Sequence, residues 1–378
     1  MAKIAFVGYR KKAVQAAVAL GYEPVIWCPE SPVSHAYPTI AAPFPEIDGA
    51  LSADVDSFFK AQSVAFDAII PLTERSIPAA MLLMQAFDKP LPSQRMAACH
   101  DKWLMKQQAE VHQIPVAPYA LLDQAGAWPL ISSWDCPVYA KLRNHSGGRG
   151  LQVASSLDAL KKLQGHGYLV EKAIHGVEMS MEIFFQKRQL LFLNSTQYYL
   201  HYEINVVPAP DEFIQKKTLE RFARHIMEAF ELDDGIAHIE FFVTEDGLVF
   251  NELTIRPPGG FIMDLIQRSY RFDPWKVLLQ LYLKQKVDVC HRAESFSAAY
   301  LIHPGPGKIA QISDIETLRA LPSVKEVYLK KTAGDIVSVR VGSGQDIGHV
   351  FFQNQAYVQL LADIEWFREH FKISHDRL

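Results

Sequence analysis

The chain has 378 residues, 49% of them hydrophobic, and this length predicts two or three folded units with real cores. Its formal net charge is −4, and because acids and bases are interspersed, we expect no nucleic-acid partner. No run approaches about 18 apolar residues, and the first basic residues follow the first apolar run, so we expect neither a membrane span nor a signal peptide. Four scattered cysteines without a C-x-x-C pair indicate reduced thiols and a cytoplasmic location.

The sequence pattern of the N-terminal quarter of the chain predicts an α/β domain. Short apolar strands are expected at Lys3–Val7, Pro24–Trp27 and Ala68–Pro71, with a helix at Ser76–Phe87. Strands that alternate with helices favour a parallel sheet. The first turn holds Gly8 alone rather than G-x-G-x-x-G, so it gives only weak support to a dinucleotide-binding dehydrogenase.

The rest of the chain predicts mixed α+β structure. A helix capped by Asp101 is expected at Asp101–Val111, and an amphipathic helix at Lys216–Phe230. Beyond about Val287 the pattern predicts three strands and a final helix: Ala298–Ile302, Glu326–Leu329, Ile336–Val341 and Asn354–Phe371.

Two carboxylates and an arginine are predicted to meet on one hairpin. A turn at 244–247 joins an alternating strand to a second strand. A four-residue turn would place Glu240 opposite Asn251, one residue from Glu252, while the sequence alone does not fix the register. The same alternation places the even-numbered residues from Leu248 to Arg256 on one face of the second strand.

This hairpin has the composition of a metal site. Two carboxylates about 4 Å apart repel by roughly 4 kcal/mol at an effective dielectric constant near 20. A cation between Glu240 and Glu252 would remove that repulsion, and Mg²⁺ typically takes one or two carboxylates together with water and phosphate oxygens. Arg256 adds a planar fork for a phosphate or a carboxylate. A surface hairpin with solvated acids explains the same residues equally well, so both interpretations stay open.

A glycine-rich segment follows the strand that ends at Lys141. It consists of Ser146, Gly147, Gly148, Arg149 and Gly150. Closely spaced glycines let backbone N–H groups approach phosphates. No Lys-Ser or Lys-Thr pair follows the last glycine, so this is not a Walker A loop, and such a segment in isolation is more often a plain hairpin turn.

A third segment combines a strand end with acidic residues. The strand that begins at Tyr168 ends in Glu171, Lys172 and Ala173, where free backbone groups could contact an adenine edge. Glu178 and Glu182 follow at an even spacing, which places them on one face of the next strand. A connecting loop with surface charge is the alternative.

In this order the three segments resemble the ATP-grasp superfamily over most of the chain. The resemblance implies these roles: Lys102 (with Lys106 as a weaker choice) and Lys141 at the nucleotide phosphates, Ser146–Gly150 as the lid over them, Glu171, Lys172 and Ala173 at adenine, Glu178 at the ribose, Glu240 and Glu252 at the metal, and Arg256 at the transferred phosphoryl group. ATP with Mg²⁺ or Mn²⁺ is the implied cofactor pair. Thr254 stands where many members have Asn, which leaves a third metal ligand open.

The end of the hairpin resembles one branch of the superfamily. The run from Arg256 to Gly260 is similar to the L-amino-acid ligases and carnosine-synthase-like enzymes, and the tail from Gly305 resembles the C-terminal lid of that branch and of biotin carboxylase. The implied fold is α/β and α+β: a Rossmann-like pre-ATP-grasp domain, a two-subdomain ATP-grasp fold and a small C-terminal α+β lid. The implied boundaries are 1–95, 96–286 with a nucleotide-binding lid at about 135–185, and 287–378.

The resemblance implies an ADP-forming ligase that activates a carboxylate as an acyl phosphate and passes it to an amine. Small molecules are the expected partners, and homodimers are common in the superfamily. The candidate substrate contacts are Glu74, Tyr202 in a loop at Gln197–Pro210, Gly259 and Gly260. Glu74 could equally form an ion pair with Arg75. Two other functions stay open: a bicarbonate-activating carboxylase-like enzyme, and a nucleotide sensor without turnover, against which the retention of Arg256 with both metal glutamates argues.

Overall fold

The computed structural model describes residues 1–30, 36–45, 49–62, 65–340 and 345–376. The N-terminal elements are β1 (Lys3–Val7), α1 (Lys11–Ala19), β2 (Glu23–Cys28), β3 (Thr39–Ala41), α2 (Ala53–Ala61), β4 (Ala68–Pro71) and α3 (Ile77–Ala86). The strand order is β3-β2-β1-β4, and β1 pairs in parallel with β2 and β4. Alternate residues of β1 are buried on opposite faces, since Phe6 belongs to the core that includes α1 and Val7 to the core that includes α2 and α3. The predicted parallel sheet is confirmed.

A second, smaller sheet lies next in the chain. Its region contains α4 (Lys102–Val111), β5 (Tyr119–Leu121), α5 (Ala127–Ser132), β6 (Val138–Leu142), β7 (Gln152–Ala154), α6 (Leu157–Lys161) and β8 (Tyr168–Lys172). The strands pair in the order β5-β8-β6-β7, all antiparallel. Asp101 caps α4 as predicted, because its Oδ1 accepts hydrogen bonds from the backbone N–H groups of Trp103 and Leu104. We refer to β5–β8 as the lid sheet.

The largest sheet has eight strands and continues into the C-terminal part of the chain. Its elements and their neighbours are β9 (Val177–Gln186), β10 (Gln189–Leu200), β11 (Ile204–Val207), α7 (Lys216–Ala229), β12 (Gly235–Thr244), β13 (Gly247–Thr254), α8 (Ile262–Tyr270), α9 (Pro274–Tyr282), β14 (Phe296–Ile302), β16 (Val324–Leu329), β18 (Gly348–Asn354) and α11 (Tyr357–His370). The strand order is β13-β12-β9-β10-β11-β14-β18-β16. The remaining elements are β15 (Gly307–Ile312), α10 (Glu316–Arg319), β17 (Ile336–Val337) and β19 (Ile373–Asp376). The strands β15, β17 and β19 form a separate small sheet.

The eight-stranded sheet, which we call the central sheet, packs against α7 on one face. Its other face carries the candidate site. On the packed face, Leu219 and Ile226 of α7 lie in one core with Met181 of β9 and Ile239 of β12. The amphipathic helix predicted at Lys216–Phe230 is therefore confirmed, with its apolar stripe against the sheet. In the part of the chain that the structure describes, no helix is long and apolar enough to cross a membrane.

Three sequence predictions differ from the structure. The predicted loop at Gln197–Pro210 is the end of β10, a short turn and β11, because its alternating apolar residues pair into the central sheet. The final helix begins at Tyr357 rather than Asn354, which ends β18. The strand predicted at Ile336–Val341 is found only at Ile336–Val337, and Val341 itself lies outside the described residues.

Candidate active site

A β-bulge shapes the β12–β13 hairpin. Thr244 pairs with Gly247 and Phe241 with Phe250, but the next pair is Glu240 with Glu252. Asn251 is therefore the extra residue of the bulge, and the prediction that Glu240 lies opposite Asn251 is wrong by one residue. The two glutamates are direct cross-strand neighbours, which brings them closer than the sequence predicted.

The bulge also changes which residues of β13 share a face. Phe250 lies in the packed core, as do Leu253 and Ile255 after the bulge. Asn251 and Glu252 both line a cavity on the opposite side. The predicted common face from Leu248 to Arg256 is thus wrong, because the extra residue shifts the alternation by one.

The cavity measures about 700 Å³ and lies between the lid sheet and the central sheet. Most sequence-predicted site residues line it: Lys102, Lys141, Ser146, Gly147, Gly148, Glu171, Lys172, Glu178, Tyr202, Glu240, Glu252, Arg256, Gly259 and Gly260. Gly150, Ala173 and Glu74 do not line it. Lys102 and Glu252, which are 150 positions apart in the chain, therefore meet at a single site.

Glu178, Glu240 and Glu252 are three of the glutamates that line this cavity, and they lie around Asn251. Nδ2 of Asn251 lies 3.2 Å from Oε1 of Glu178 and 3.5 Å from Oε2 of Glu240. Burial, followed by the negative charge of Glu240, raises the pKa of Glu178 to about 8. Burial likewise raises the pKa of Glu252 above its ordinary value. Negative charge on one of these carboxylates therefore opposes ionisation of its neighbours, and a cation bound between them would relieve that repulsion.

Glu240 is held by a buried network that the sequence analysis did not identify. Nδ1 of His238 lies 2.9 Å from Oε1 of Glu182, and its Nε2 lies 3.4 Å from Oε1 of Glu240. Burial would lower the pKa of His238, but hydrogen bonds to both carboxylates outweigh burial and raise it to about 9. Glu182 is fully buried and also accepts hydrogen bonds from Asn194 and Thr196. The only signal in the sequence was that His238 and Glu240 are two residues apart in one strand.

Two lysines of the cavity are paired with carboxylates. Nζ of Lys102 lies 2.9 Å from Oε1 of Glu252. Nζ of Lys141 lies 2.7 Å from Oε2 of Glu171 and 3.0 Å from Oδ1 of Asn251. Burial would lower the pKa of Lys141, but the negative charge of Glu171 outweighs it and raises the pKa above the ordinary value. Both lysine side chains are therefore positioned at the cavity wall.

Lys106 occupies a different place from Lys102. Its side chain is 1% exposed, does not line the cavity, and brings Nζ to 3.1 Å from Oε1 of Glu171. Glu171 was expected at the adenine end through its backbone, but its side chain is an ion-pair partner of two lysines. Burial lowers the pKa of Lys106, while the charge of Glu171 opposes that change. The weaker choice of Lys106 as a phosphate contact is thus not supported by its position.

The glycine-rich segment is the β6–β7 connection. Gly147, Gly148 and Gly150 have φ values of 64°, 75° and 72°, a region that side-chain-bearing residues rarely adopt. A Cβ atom on Gly148 would come within 3.1 Å of the Tyr202 hydroxyl, so this glycine also allows a close approach between the lid sheet and the β10–β11 turn. Such a backbone leaves its N–H groups available to anions.

Arg256 is anchored from the N-terminal domain. Its Nε lies 2.9 Å from Oε2 of Glu74, which also accepts a hydrogen bond from the Thr254 hydroxyl. Burial would raise the pKa of Glu74, but the charge of Arg256 and hydrogen bonds from His100 and Thr254 outweigh it and hold the pKa at about 2. Glu74 pairs with Arg256 rather than with Arg75, and it lies behind the cavity wall rather than on it.

The turn after Arg256 is held on both sides. Arg10 donates hydrogen bonds to the carbonyl oxygens of Pro258 and Pro257, at 2.8 and 3.2 Å. Asn205 of β11 donates to the carbonyl oxygen of Gly260 at 3.0 Å. These contacts fix the backbone of the turn where it faces the cavity.

The β10–β11 segment contributes only some of its aromatic residues. Tyr198, His201 and Tyr202 line the cavity together with Asn205. Tyr199 points the other way and donates a hydrogen bond to Glu365 of α11 at 2.7 Å. Successive side chains of a strand point to opposite faces of the sheet, which explains why Tyr198 lines the cavity and Tyr199 does not. A loop, as predicted here, has no such alternation.

The donor set fits a hard divalent cation that is shared with phosphates. Among the described residues, no group of three or more His, Cys, Asp and Glu side chains is arranged to hold a metal by itself. Mg²⁺ needs only one or two carboxylates when phosphates and water complete its octahedral shell. Glu240 and Glu252, paired across the strands and buried enough to raise the pKa of Glu252, meet that requirement.

Comparison with known proteins agrees with this geometry. An "ATP-grasp domain" family model matches residues 107–260, and an "L-amino acid ligase C-terminal domain 2" model matches residues 299–375. The L-arginine-specific L-amino acid ligase of Bacillus subtilis is 24% identical over 322 residues, which cover 78% of each protein.

Two solved structures share the fold over almost the whole chain. L-amino acid ligase from Bacillus licheniformis gives a TM-score of 0.80 at 16% identity and covers 100% of this chain and 99% of that one. N5-carboxyaminoimidazole ribonucleotide synthetase from Thermotoga maritima gives 0.77 at 16% identity and covers 100% of both chains. The predicted fold class is therefore confirmed. The chain therefore contains an ATP-grasp domain and a C-terminal domain of the L-amino acid ligase type, and it resembles the L-amino acid ligases in sequence and in fold.

Proposed function

We propose that this enzyme joins the carboxylate of one small molecule to the amine of another through an acyl phosphate, releasing ADP and phosphate. The observation that carries the proposal is the convergence of Glu240, Glu252, Lys102, Lys141 and Arg256 on one cavity. Phosphoryl transfer requires mainly positioning and charge neutralisation, and these five side chains supply acidic and basic groups around one cavity.

The lid side of the cavity would bind the nucleotide. Lys141 and Lys102 provide ammonium groups for the phosphates, and the backbone N–H groups of Ser146–Gly150 close over them. Glu178 would contact the ribose hydroxyls. The end of β8, where Glu171 and Lys172 line the cavity, would lie beside the adenine edge, with Ala173 behind it.

Glu240 and Glu252 would hold the divalent metal, Mg²⁺ or Mn²⁺. When bound, the metal neutralises phosphate charge and orients the transferred group. The network of Glu182 and His238 holds Glu240 in place from behind, so that the carboxylate keeps its orientation.

The reaction has two steps. A substrate carboxylate oxygen attacks the γ-phosphorus, the bond between that phosphorus and the β–γ bridging oxygen breaks, and ADP leaves. The amine nitrogen then attacks the acyl carbon, the bond from that carbon to the phosphate oxygen breaks, and phosphate leaves as the nitrogen loses a proton. Arg256, which forms an ion pair with Glu74, would stabilise negative charge on the transferred phosphoryl group.

We propose amino acids as the substrates. The turn at Gly259 and Gly260 presents backbone beside Arg256, where N–H groups could hold a substrate carboxylate. Tyr198, His201 and Tyr202 form an amphipathic wall suited to an organic molecule rather than to a small anion. The similarity to an L-amino acid ligase supports the same substrate class.

The test is ADP release with ATP, Mg²⁺ and a matrix of single amino acids, amino-acid pairs and bicarbonate, followed by mass spectrometry of the product. We expect turnover with amino-acid pairs and a product whose mass corresponds to loss of one water. Turnover that depends strictly on bicarbonate, without any amide, would replace this proposal by the carboxylase-like alternative. Tight ATP binding without turnover on any substrate would favour the nucleotide sensor.

A further inference from the structure

Lys106 is a buried charge that the proposed reaction does not use. It lies on α4 with its side chain 1% exposed, and its Nζ is 3.1 Å from Oε1 of Glu171. Apart from this ion pair, neither atom has a hydrogen-bond partner among the described residues. Burying an ammonium group is unfavourable, so its presence calls for a functional or structural reason.

Glu171 has two ammonium partners rather than one. Its second oxygen, Oε2, lies 2.7 Å from Nζ of Lys141. The two lysines differ in access, because Lys141 lines the cavity and is 19% exposed, whereas Lys106 does not line it. Only Lys141 can therefore reach an anion in the cavity.

A nucleotide phosphate would compete with Glu171 for Lys141. If Lys141 were the only partner of Glu171, its move to a phosphate would leave a carboxylate that is 6% exposed without a counter-ion. Unpaired buried charges are strongly unfavourable, so that move would oppose nucleotide binding. With Lys106 in place, Glu171 remains paired throughout.

We propose that Lys106 is a positioning residue that keeps Glu171 neutralised, so that Lys141 can exchange Glu171 for a nucleotide phosphate. The inference rests on the proposed nucleotide site. It differs from a purely structural role of Lys106 in one respect: the effect of removing Lys106 must pass through the charge of Glu171.

The experiment measures the Kd of ADP with Mg²⁺ by titration calorimetry, without turnover, in four proteins: wild type, Lys106→Met, Glu171→Gln and the double variant. We expect Lys106→Met to weaken ADP binding at least about 10-fold, because Glu171 would lose its counter-ion when Lys141 moves to a phosphate. The double variant should bind within about threefold of Glu171→Gln alone, because the neutral amide introduced by Glu171→Gln needs no counter-ion. Lys12→Met is the matched control, since Lys12 pairs with Asp264 away from the cavity and is 52% exposed.

If the Lys106→Met protein does not fold, Lys106→Gln serves as the second variant. The same ratios of Kd to the wild-type and Glu171→Gln values are then expected. Lys141 acetylation, followed by mass spectrometry, gives an independent measurement: it should be slower in Lys106→Met than in wild type, because Glu171 then has Lys141 as its single partner. Wild-type ADP affinity in Lys106→Met, or weak binding that Glu171→Gln does not restore, overturns the proposal. Failure of the wild-type protein to bind ADP overturns the proposed function itself.

Discussion

Replacing Glu74 by Gln should destabilise the fold and displace Arg256. Oε2 of Glu74 lies 2.9 Å from Nε of Arg256, and its Oε1 lies 3.2 Å from Nδ1 of His100. The two side chains of the ion pair are only 6% and 12% exposed. Gln keeps the size of the side chain but removes its charge, so the guanidinium group would stay buried without a carboxylate.

The size of the effect follows from the pKa of Glu74, which is about 2 against 4.5 for an ordinary glutamate. A pKa difference of one corresponds to about 1.4 kcal/mol, so the ionised carboxylate contributes about 3 kcal/mol to folding at neutral pH. Breaking a buried ion pair typically costs about 3–5 kcal/mol, in agreement. Because the folded pKa is depressed, this contribution is fully present above pH 4.5 and is lost as the pH falls toward 2.

The assay is denaturant unfolding of wild type, Glu74→Gln and Arg75→Ala across this pH range. The difference between wild type and Glu74→Gln should stay near 3 kcal/mol from about pH 8 to pH 5 and shrink below about pH 4.5. Arg75→Ala should stay within about 0.5 kcal/mol of wild type, because Arg75 is exposed and is not the partner of Glu74. In ligase assays, kcat of Glu74→Gln should fall about 100-fold as Arg256 shifts. Wild-type stability and kcat in Glu74→Gln would refute this reasoning.

Three further predictions concern the cavity. Glu252→Gln should abolish phosphate release while the circular dichroism spectrum stays unchanged, and normal turnover would exclude Glu252 as a metal ligand. Hydrogen exchange of residues 146–150 should slow on addition of a non-hydrolysable ATP analogue with Mg²⁺, because phosphates give their N–H groups partners; protection elsewhere but not there would contradict a lid role. Gly260→Ala should destabilise the protein by about 1–3 kcal/mol in thermal unfolding, since φ is 58° and the new Cβ would overlap Nδ2 of Asn205. Gly259→Ala, with open space around its Cβ, should unfold like wild type, and equal losses in both variants would contradict the steric argument.

The sequence predicted what depends on local pattern. The parallel N-terminal strands, the amphipathic helix α7 and the antiparallel β12–β13 pair all follow from hydrophobic spacing over fewer than about twenty residues. The alternation in β12 correctly separated Ile239, in the core, from Glu240, at the cavity. The resemblance of the ordered motifs to a superfamily then predicted the fold class.

What the sequence could not predict depends on partners far apart in the chain. The bulge at Asn251 adds one residue to an otherwise regular pattern, and no turn or glycine marks it. Glu74 was predicted to meet a substrate or Arg75, yet its partner is Arg256, 182 positions away. The pairing of Lys106 with Glu171 likewise requires α4 to pack against the lid sheet, which spacing along the chain does not show.

The ion pairs inside the cavity have consequences for how the proposed nucleotide and metal would bind. Lys102 contacts the same glutamate, Glu252, that is proposed to hold the metal, so a cation approaching alone would compete with an ammonium group 2.9 Å from Oε1. A phosphate chain offers Lys102 another anion and thereby releases Glu252. Arg256 differs, because its partner Glu74 lies behind the cavity wall and need not be given up. Metal and nucleotide should therefore bind together, and Mg²⁺ alone should bind weakly, whereas Arg256 stays fixed throughout the reaction.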